Sequence, residues 1–321
     1  MHNSLISLNN GMANWGSKMR KAPKIHALGL IVLAMLALIF ASSPATAQPL
    51  TAAQAIERIQ QHYAPAPSNT VDTIKAGDPS TPVTGIATTF LDTMDVLREA
   101  SRRGANLVIT HEPTFYNHLD DTAFFSDDPV YLEKLAFIQQ HHMVVFRLHD
   151  AIHMASPDQI FTGFLESLGW QNYMVAGNPA LVTIPKTTLL KLSRELAAKL
   201  DARTLRVVGD PNLEINHVAI RLGAAGMQKQ VTALRGDVEV LLAGEAAEWE
   251  TVEYVRDASA QGRHKALILM GHEVSEEAGM KQCAEDLRPL FPNMPVIHIP
   301  AGQPMWSPAN PPASSQAGAQ K

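Results

Sequence analysis

The chain has 321 residues and a formal charge of −5, and its aliphatic and aromatic content is that of a globular protein rather than a disordered one. No Lys/Arg cluster forms the basic face that phosphate backbones require, so nucleic acid is excluded as the main partner. One cysteine, Cys283, excludes an internal disulfide framework and thiolate zinc sites, and reads as a small residue packed on a helix.

Residues 1–47 have the layout of an export signal. Lys18, Arg20, Lys21 and Lys24 form a basic start, Leu28–Ala41 is apolar, and Ala45-Thr46-Ala47 supplies small residues for cleavage. The apolar run is shorter than the roughly 20 residues that span a bilayer, which favours a cleaved signal over an anchor. Cleavage leaves 274 residues, a charge of −9, no membrane span, and a periplasmic or secreted protein.

The expected boundaries are an N-terminal α/β region at 48–165, a middle α/β region at 166–264, a strand and helix at 265–302 that complete the site, and a disordered tail at 303–321. Ala52, Ile56 and Ile59 recur at helical spacing behind Thr51, so the first element is a capped amphipathic helix ending at His62. Strands are expected at Val71–Ala76 and Val83–Ala87, around the turn-forming Gly77-Asp78-Pro79-Ser80. A helix from Asp92 or Thr93 to Arg102, closed by Gly104, leads into strand Leu107–Ile109. Helix Val130–His141 leads into strand Met143–Leu148. This alternation builds parallel sheets with helices on their faces.

A similar succession follows. Helix Thr187–Leu200 and strands Leu205–Val208 and His217–Ile220 precede a glycine turn at Gly223–Gly226 and a helix before Gly236. Strand Val238–Leu242, helix Glu248–Ala260 and strand Ala266–Met270 complete it. The expected fold class is therefore α/β, with two related α/β domains, mixed sheets, and the site at strand carboxyl ends in the cleft between them. Trp249 reads as a packing or subunit-interface residue.

Three strands share one ending. Leu107–Ile109 runs into His111-Glu112, Met143–Leu148 into His149-Asp150 with His153 behind, and Ala266–Met270 into Gly271-His272 with Glu276 behind. Carboxyl ends of parallel strands lie along one edge, where ligands collect. His149 and His153, like His272 and Glu276, are four residues apart, which on a helix puts both on one face within reach of a common ion. His111 and Glu112 would point to opposite faces of a regular strand. Pro113 predicts a bend that turns both to one cleft. His62, His141, His142, His217, His264 and His298 read as ordinary hydrogen-bonded residues, and His118 as a loop residue able to reach the site. HExxH is absent because Pro113 follows Glu112, and no GxSxG turn supports a serine triad.

At these residues the chain resembles the NIF-three-like dinuclear-metal-centre proteins, some labelled GTP cyclohydrolase 1 type 2 homologs. TFLDTMDVLREASRRGANLVITHEP, LHDAIH and ILMGHEVSEE stand where that family has His-His-Pro, His-x-x-x-Asp and Gly-His-Tyr-x-x-Glu. LRVVGDPNLEINHVAI and DVEVLLAGEAAEWETVEY match its middle region. The resemblance implies that His111, His272 and Glu276 are ligands by identity and Glu112 and His153 by position, with His149 close to the site. Glu112 replaces a histidine and His153 an aspartate, as if the two had traded places; Asp150 is the other carboxylate available. Asp150, His118 and Tyr116 are expected around the ligands. The resemblance further implies two divalent metal ions (Zn, Mn, Fe or Ni), a homo-oligomer, possibly a hexamer, and a metal-dependent hydrolase of a small-molecule substrate. The rival expectations are a non-catalytic metal-binding or scaffold protein and, less favoured, an exported adaptor with degenerate ligands and no stoichiometric metal.

Overall fold

The computed structural model describes residues 49–63 and 65–308. The expected export signal lies outside the described residues. Among those described, no helix is long and apolar enough to cross a membrane.

Helix α1 (Ala52–His62) starts where expected, because Thr51 and Gln54 cap each other's backbone N–H groups. Strands β1 (Ile74–Ala76), β2 (Ile86–Thr89), β3 (Leu107–Thr110) and β4 (Val144–Arg147) form the first sheet with β11 (Val296–His298), in the order β1-β4-β3-β2-β11. Strands β11, β2, β3 and β4 are parallel and only β1 is antiparallel. The two parallel crossovers are α2 (Met94–Arg102), capped by the Thr93 hydroxyl, and α3 (Pro129–Gln140), capped by Asp128.

The second sheet has the order β5-β6-β8-β9-β10-β7. Its parallel centre is β8 (Glu214–Arg221), β9 (Val240–Ala243) and β10 (Ala266–Leu269). Its antiparallel strands are β5 (Met174–Val175), β6 (Asn178–Thr188) and β7 (Arg206–Val208). Around it run α5 (Gln159–Leu168), α6 (Leu189–Lys199), α7 (Met227–Ala233) and α8 (Glu253–Ala260). A π-helical turn at Glu248–Val252 precedes α8 inside the single helix expected there. The molecule is thus a mixed α/β protein with two mixed sheets, as expected. The first strand is shorter than its pattern: Val71, Asp72 and Thr73 stay outside β1, and Asp72 instead binds backbone N–H groups near the site.

Helix α4 (Asp150–Met154) and the long α9 (His272–Leu287) start at the strand ends singled out above. Helix α9 leaves the second sheet after β10 and packs on β2, where Thr88 donates its hydroxyl proton to the Met280 carbonyl at 2.8 Å. It also packs against α5, whose Phe164, Leu165 and Leu168 belong to the second sheet's core. The two helices touch backbone to backbone. A methyl group on Gly279 would lie 2.4 Å from Ile160 Cα, and one on Gly163 2.6 Å from the Ala278 carbonyl oxygen, so glycine at both crossings sets the helix spacing. Leu222 packs against the cores on both sides of this pair. Cys283 is buried on α9, 3.4 Å from the Tyr63 hydroxyl. Gln303, where a disordered tail was expected to begin, bonds to Asp201 and Arg203; residues 309–321 lie outside the described residues.

Candidate metal centre

Strand β3 stops pairing at Thr110, and the chain bends over His111 and Glu112. Their N–H groups donate to the Thr89 and Phe90 carbonyls at 3.1 and 2.9 Å, and the Thr110 hydroxyl donates to the Glu112 carbonyl at 3.0 Å. The bend brings both side chains to one side, as Pro113 predicts. His149 precedes α4 and His153 lies within it; His272 opens α9 and Glu276 follows one turn later.

Six predicted residues therefore meet. The donor atoms of His111, His149 and His153 lie within 4.8 Å of one another, as do those of His111, Glu112 and Glu276, so His111 belongs to both groups. His111 rings lie 4.8 Å from His149 and 5.0 Å from His153, centre to centre. His272 Nε2 lies 3.4 Å from Glu112 Oε1 and 3.1 Å from Glu276 Oε2.

The imidazoles share one orientation rule. His111 Nδ1–H donates to the Leu148 carbonyl at 3.1 Å, which leaves Nε2 as the lone-pair nitrogen. His149 is held at Nδ1 by Asp150 at 2.9 Å, and His153 at Nδ1 by Asp158 at 3.0 Å. Glu245 lies 3.5 Å from His272 Nδ1. Each ring is therefore gripped from outside, and its Nε2 is left for the shared space. Metal-ligating histidines are held in this way. His111 Nε2 is fully buried and makes no hydrogen bond; its nearest carboxylate oxygen, on Glu276, is 3.4 Å away. A buried polar atom without a partner is costly, and a cation at this place would satisfy it. The residues present thus fit a divalent ion.

Charge in the cluster is unevenly settled. Burial, followed by the neighbouring His111, pushes His149 down to about 4. Burial opposes charge on His272 too, but bonds to Glu112, Glu245 and Glu276 outweigh it and hold the ring up at about 12. His153 is also raised, because Asp158 outweighs its burial. Glu112 and Glu276 stay below the usual carboxylate range despite burial, owing to the imidazoles around them. Arg147, fully buried, adds a permanent cation: its Nη2 lies 3.3 Å from Glu112 Oε2 and its Nε donates to the His111 carbonyl.

Asp150 does not face the shared space. Its other carboxylate oxygen accepts from the Thr70 hydroxyl and the Val71 N–H, so it positions His149, while His153 takes the place among the rings. His118 stands at the margin, its ring 6.1 Å from that of His149 and its carbonyl bound by Arg147. Tyr116 packs edge-on against Phe125 and beside Lys134, within its own loop. His141, His217 and His298 pair with Ser101, Glu239 and Glu277 away from the cluster.

Four contributors escaped the sequence reading. Asp72 accepts N–H bonds from His149, Asp150 and Ala151 at 2.8 to 2.9 Å and so fixes the start of α4. Asp158 caps α5 as well as holding His153, a role its place before an apolar helical run announces. Glu245 follows β9 by the same strand-end rule that found the others. Gly223, at φ +57°, leaves room for the ligands: a methyl group there would lie 2.3 Å from Glu276 Oε1 and 2.9 Å from His272 Nε2.

A family model described as Duf34/NIF3 (NGG1p interacting factor 3) matches residues 50–303. The chain belongs to the DUF34/NIF3 family. No curated relative matches it in sequence. Among solved structures, a Staphylococcus aureus hypothetical protein, SA1388, is 17% identical at a TM-score of 0.62, over 81% of this chain and 100% of that one. A Bacillus cereus protein related to NIF3 is 14% identical at 0.60, over 79% and 97%. Reduced HcgD from Methanocaldococcus jannaschii is 15% identical at 0.54, over 77% and 97%. At these identities the solved structures share the NIF3 fold with this chain. They do not transfer a reaction.

Proposed function

We propose that this NIF3-family chain is an exported, metal-dependent hydrolase of a small molecule, holding two divalent ions between His111, Glu112, His149, His153, His272 and Glu276. The observation that carries the reading is the common grip on the imidazoles, which leaves their Nε2 atoms beside two buried carboxylates. Mixed nitrogen and oxygen donors suit Zn, Mn, Fe or Ni. When bound, such ions act as Lewis acids and activate water.

The chain's own part is positional. Asp150 and Asp158 keep the protons of His149 and His153 on Nδ1, and Arg147 holds Glu112 in register with His272. Glu245, half exposed on the solvent side of His272, is placed to orient an incoming water. Self-association is part of the proposal: Trp249, 80% exposed, and Tyr254 present aromatic surface after β9, the composition that subunit contacts favour.

Elemental analysis of the purified protein beside His111→Ala and His272→Ala tests the ligands, with stoichiometric divalent metal expected in the wild type alone. A panel of phosphoesters, amides and nucleotides then tests hydrolysis; turnover that survives metal removal would overturn the metal-dependent reading. Metal without turnover would support the non-catalytic metal-binding or scaffold reading instead. Intact mass with residues 1–47 retained would refute export, and a monomer by light scattering would refute self-association.

A further inference from the structure

A cavity of about 840 Å³ opens beside the metal centre, and none of the ligand motifs accounts for it. His153 and its partner Asp158 form one wall, so the cavity reaches the ring cluster directly. Phe161 and Leu165 of α5, Met174 of β5, and Ile220 and Leu222 at the end of β8 make it largely apolar. Its size and lining are those of sites that enclose small organic ligands.

Two cations also line it, Arg221 and Lys229. The Arg221 guanidinium is half-buried, donates to the Ile220 carbonyl at 2.9 Å, and has no carboxylate partner among the described residues. Burial alone pulls its pKa below the ordinary arginine value. Lys229, exposed in the first turn of α7, is likewise without an ion pair among the described residues. The acid on the cavity wall, Asp158, is already engaged: one oxygen caps α5 at the Phe161 N–H and the other holds His153. The cavity therefore carries a net positive charge in a chain that is acidic overall. A partly desolvated guanidinium costs free energy unless something hydrogen-bonds its remaining donors, and its planar fork matches carboxylate or phosphate oxygens.

We infer that this cavity is the substrate pocket, and that it takes a small amphipathic anion: an apolar or aromatic body seated between Phe161, Leu165, Met174 and Leu222, with a carboxylate or phosphate held by Arg221 and Lys229. The inference rests on the hydrolase reading for the word substrate, while the binding it describes stands without it. Arg221 and His153 line the same cavity, so a molecule held at Arg221 shares it with the ring cluster, the pocket choosing the molecule and the metal centre acting on it. Arg221 is a binding and specificity residue, and among the described residues no hydrogen bond or ion pair joins its side chain to a predicted metal ligand.

The test is isothermal titration of the full chain, as purified and after chelation, with 2-naphthoate, its methyl ester and acetate. The acid should bind roughly tenfold or more tightly than the ester in both states, as expected for one charge-assisted pair, and acetate should fail to saturate. Arg221→Met should lose most of the acid's advantage and leave the ester unchanged, Arg221→Lys should restore part of it, and Arg221→Met combined with Lys229→Met should bring the acid to the ester's affinity. Equal binding of acid and ester by the wild type would overturn the inference, whatever the variants do. So would acid binding that vanishes on chelation, which would place the anion on the metal. Discrimination between acid and ester that is undiminished in Arg221→Met would overturn the role of Arg221. If 2-naphthoate binds through Arg221 but no substrate panel is hydrolysed, the hydrolase reading fails and the pocket stands; metal-dependent turnover without acid selectivity removes the pocket alone.

Discussion

Two sets of buried charges meet at the carboxyl end of the first sheet, and they are balanced in opposite ways. In one, Asp92 and Asp120 face Lys134, Lys75 and Arg147, with Lys134 Nζ 3.4 Å from Asp92 Oδ1 and Lys75 Nζ 3.1 Å from Asp120 Oδ2. In the other, Glu112 and Glu276 face mainly imidazoles. Lysine and arginine are cations at any ordinary pH, so the first set closes on itself in charge. Imidazoles are cations only when protonated, and protonation removes the lone pair that would bind a metal. The second set is therefore built to accept a cation. Arg147 joins them, bonding to Glu112 on one side and lying 3.7 Å from Asp120 on the other, which ties the orientation of a candidate ligand to a structural network.

The largest effect should come from opening the closed set. Lys134 is buried, donates to the Thr114 carbonyl at 2.7 Å and faces Asp92, which is 0% exposed and makes no hydrogen bond through its side chain. Lys134→Met leaves that carboxylate alone and should cost roughly 3–5 kcal/mol in urea unfolding. Replacing Asp92 by valine in the same chain should recover most of the loss. A double variant as unstable as the single one would mean that Lys134 acts by packing, and that the contrast between the two sets is wrong.

A smaller effect is expected from filling the open set. A divalent ion at about a hundred times its Kd should stabilise the wild type by about 2.7 kcal/mol, read as a rise in Tm. His111→Ala should lose the rise. Gly223→Ala should lose it too, because its methyl group collides with Glu276 while every donor remains. An equal rise in all three proteins would place the ion elsewhere.

A weaker effect is a pH dependence in the closed set. Burial raises Asp92 from 3.8 to about 6, against the pull of Lys134. Between those values the folded protein keeps a proton that the unfolded chain has released, so the contribution is full below 3.8 and is lost as pH rises through about 6. Asp92→Asn cannot release that proton. The stability difference between the two proteins should therefore move in favour of the variant from pH 4 to pH 7, measured by denaturant unfolding at each pH. A constant difference would show that Asp92 titrates as it does in the unfolded chain.

Much of the site was legible because its signals are short-range. The bend at His111-Glu112 follows from Pro113, and the pairs His149/His153 and His272/Glu276 follow from helical spacing. Thr51, Thr93 and Thr188 begin helices as N-caps, each bonding a backbone N–H within three residues. What escaped depends on distant partners. Strand β6 carries no clean alternation, and its place is set by pairing with β8, while β11 is three residues long and exists through β2. The segment from Ser156 to Pro185 shows no clear periodicity, yet it folds into α5, whose cap is Asp158 and whose side chains wall the anion pocket.

Local sequence dictates which residue types arrive at strand ends, where helices begin, and that any metal must be held by imidazole and carboxylate, because caps, turns and periodicity act over a few residues and a single cysteine leaves no thiolate site. It took the folded arrangement to bring His153 rather than Asp150 among the rings, to anchor His149 on Asp72 across 77 residues of chain, and to clear space for Glu276 at Gly223. Those outcomes turn on which backbone and side-chain groups from separate sheets meet within hydrogen-bonding distance, and packing sets that distance.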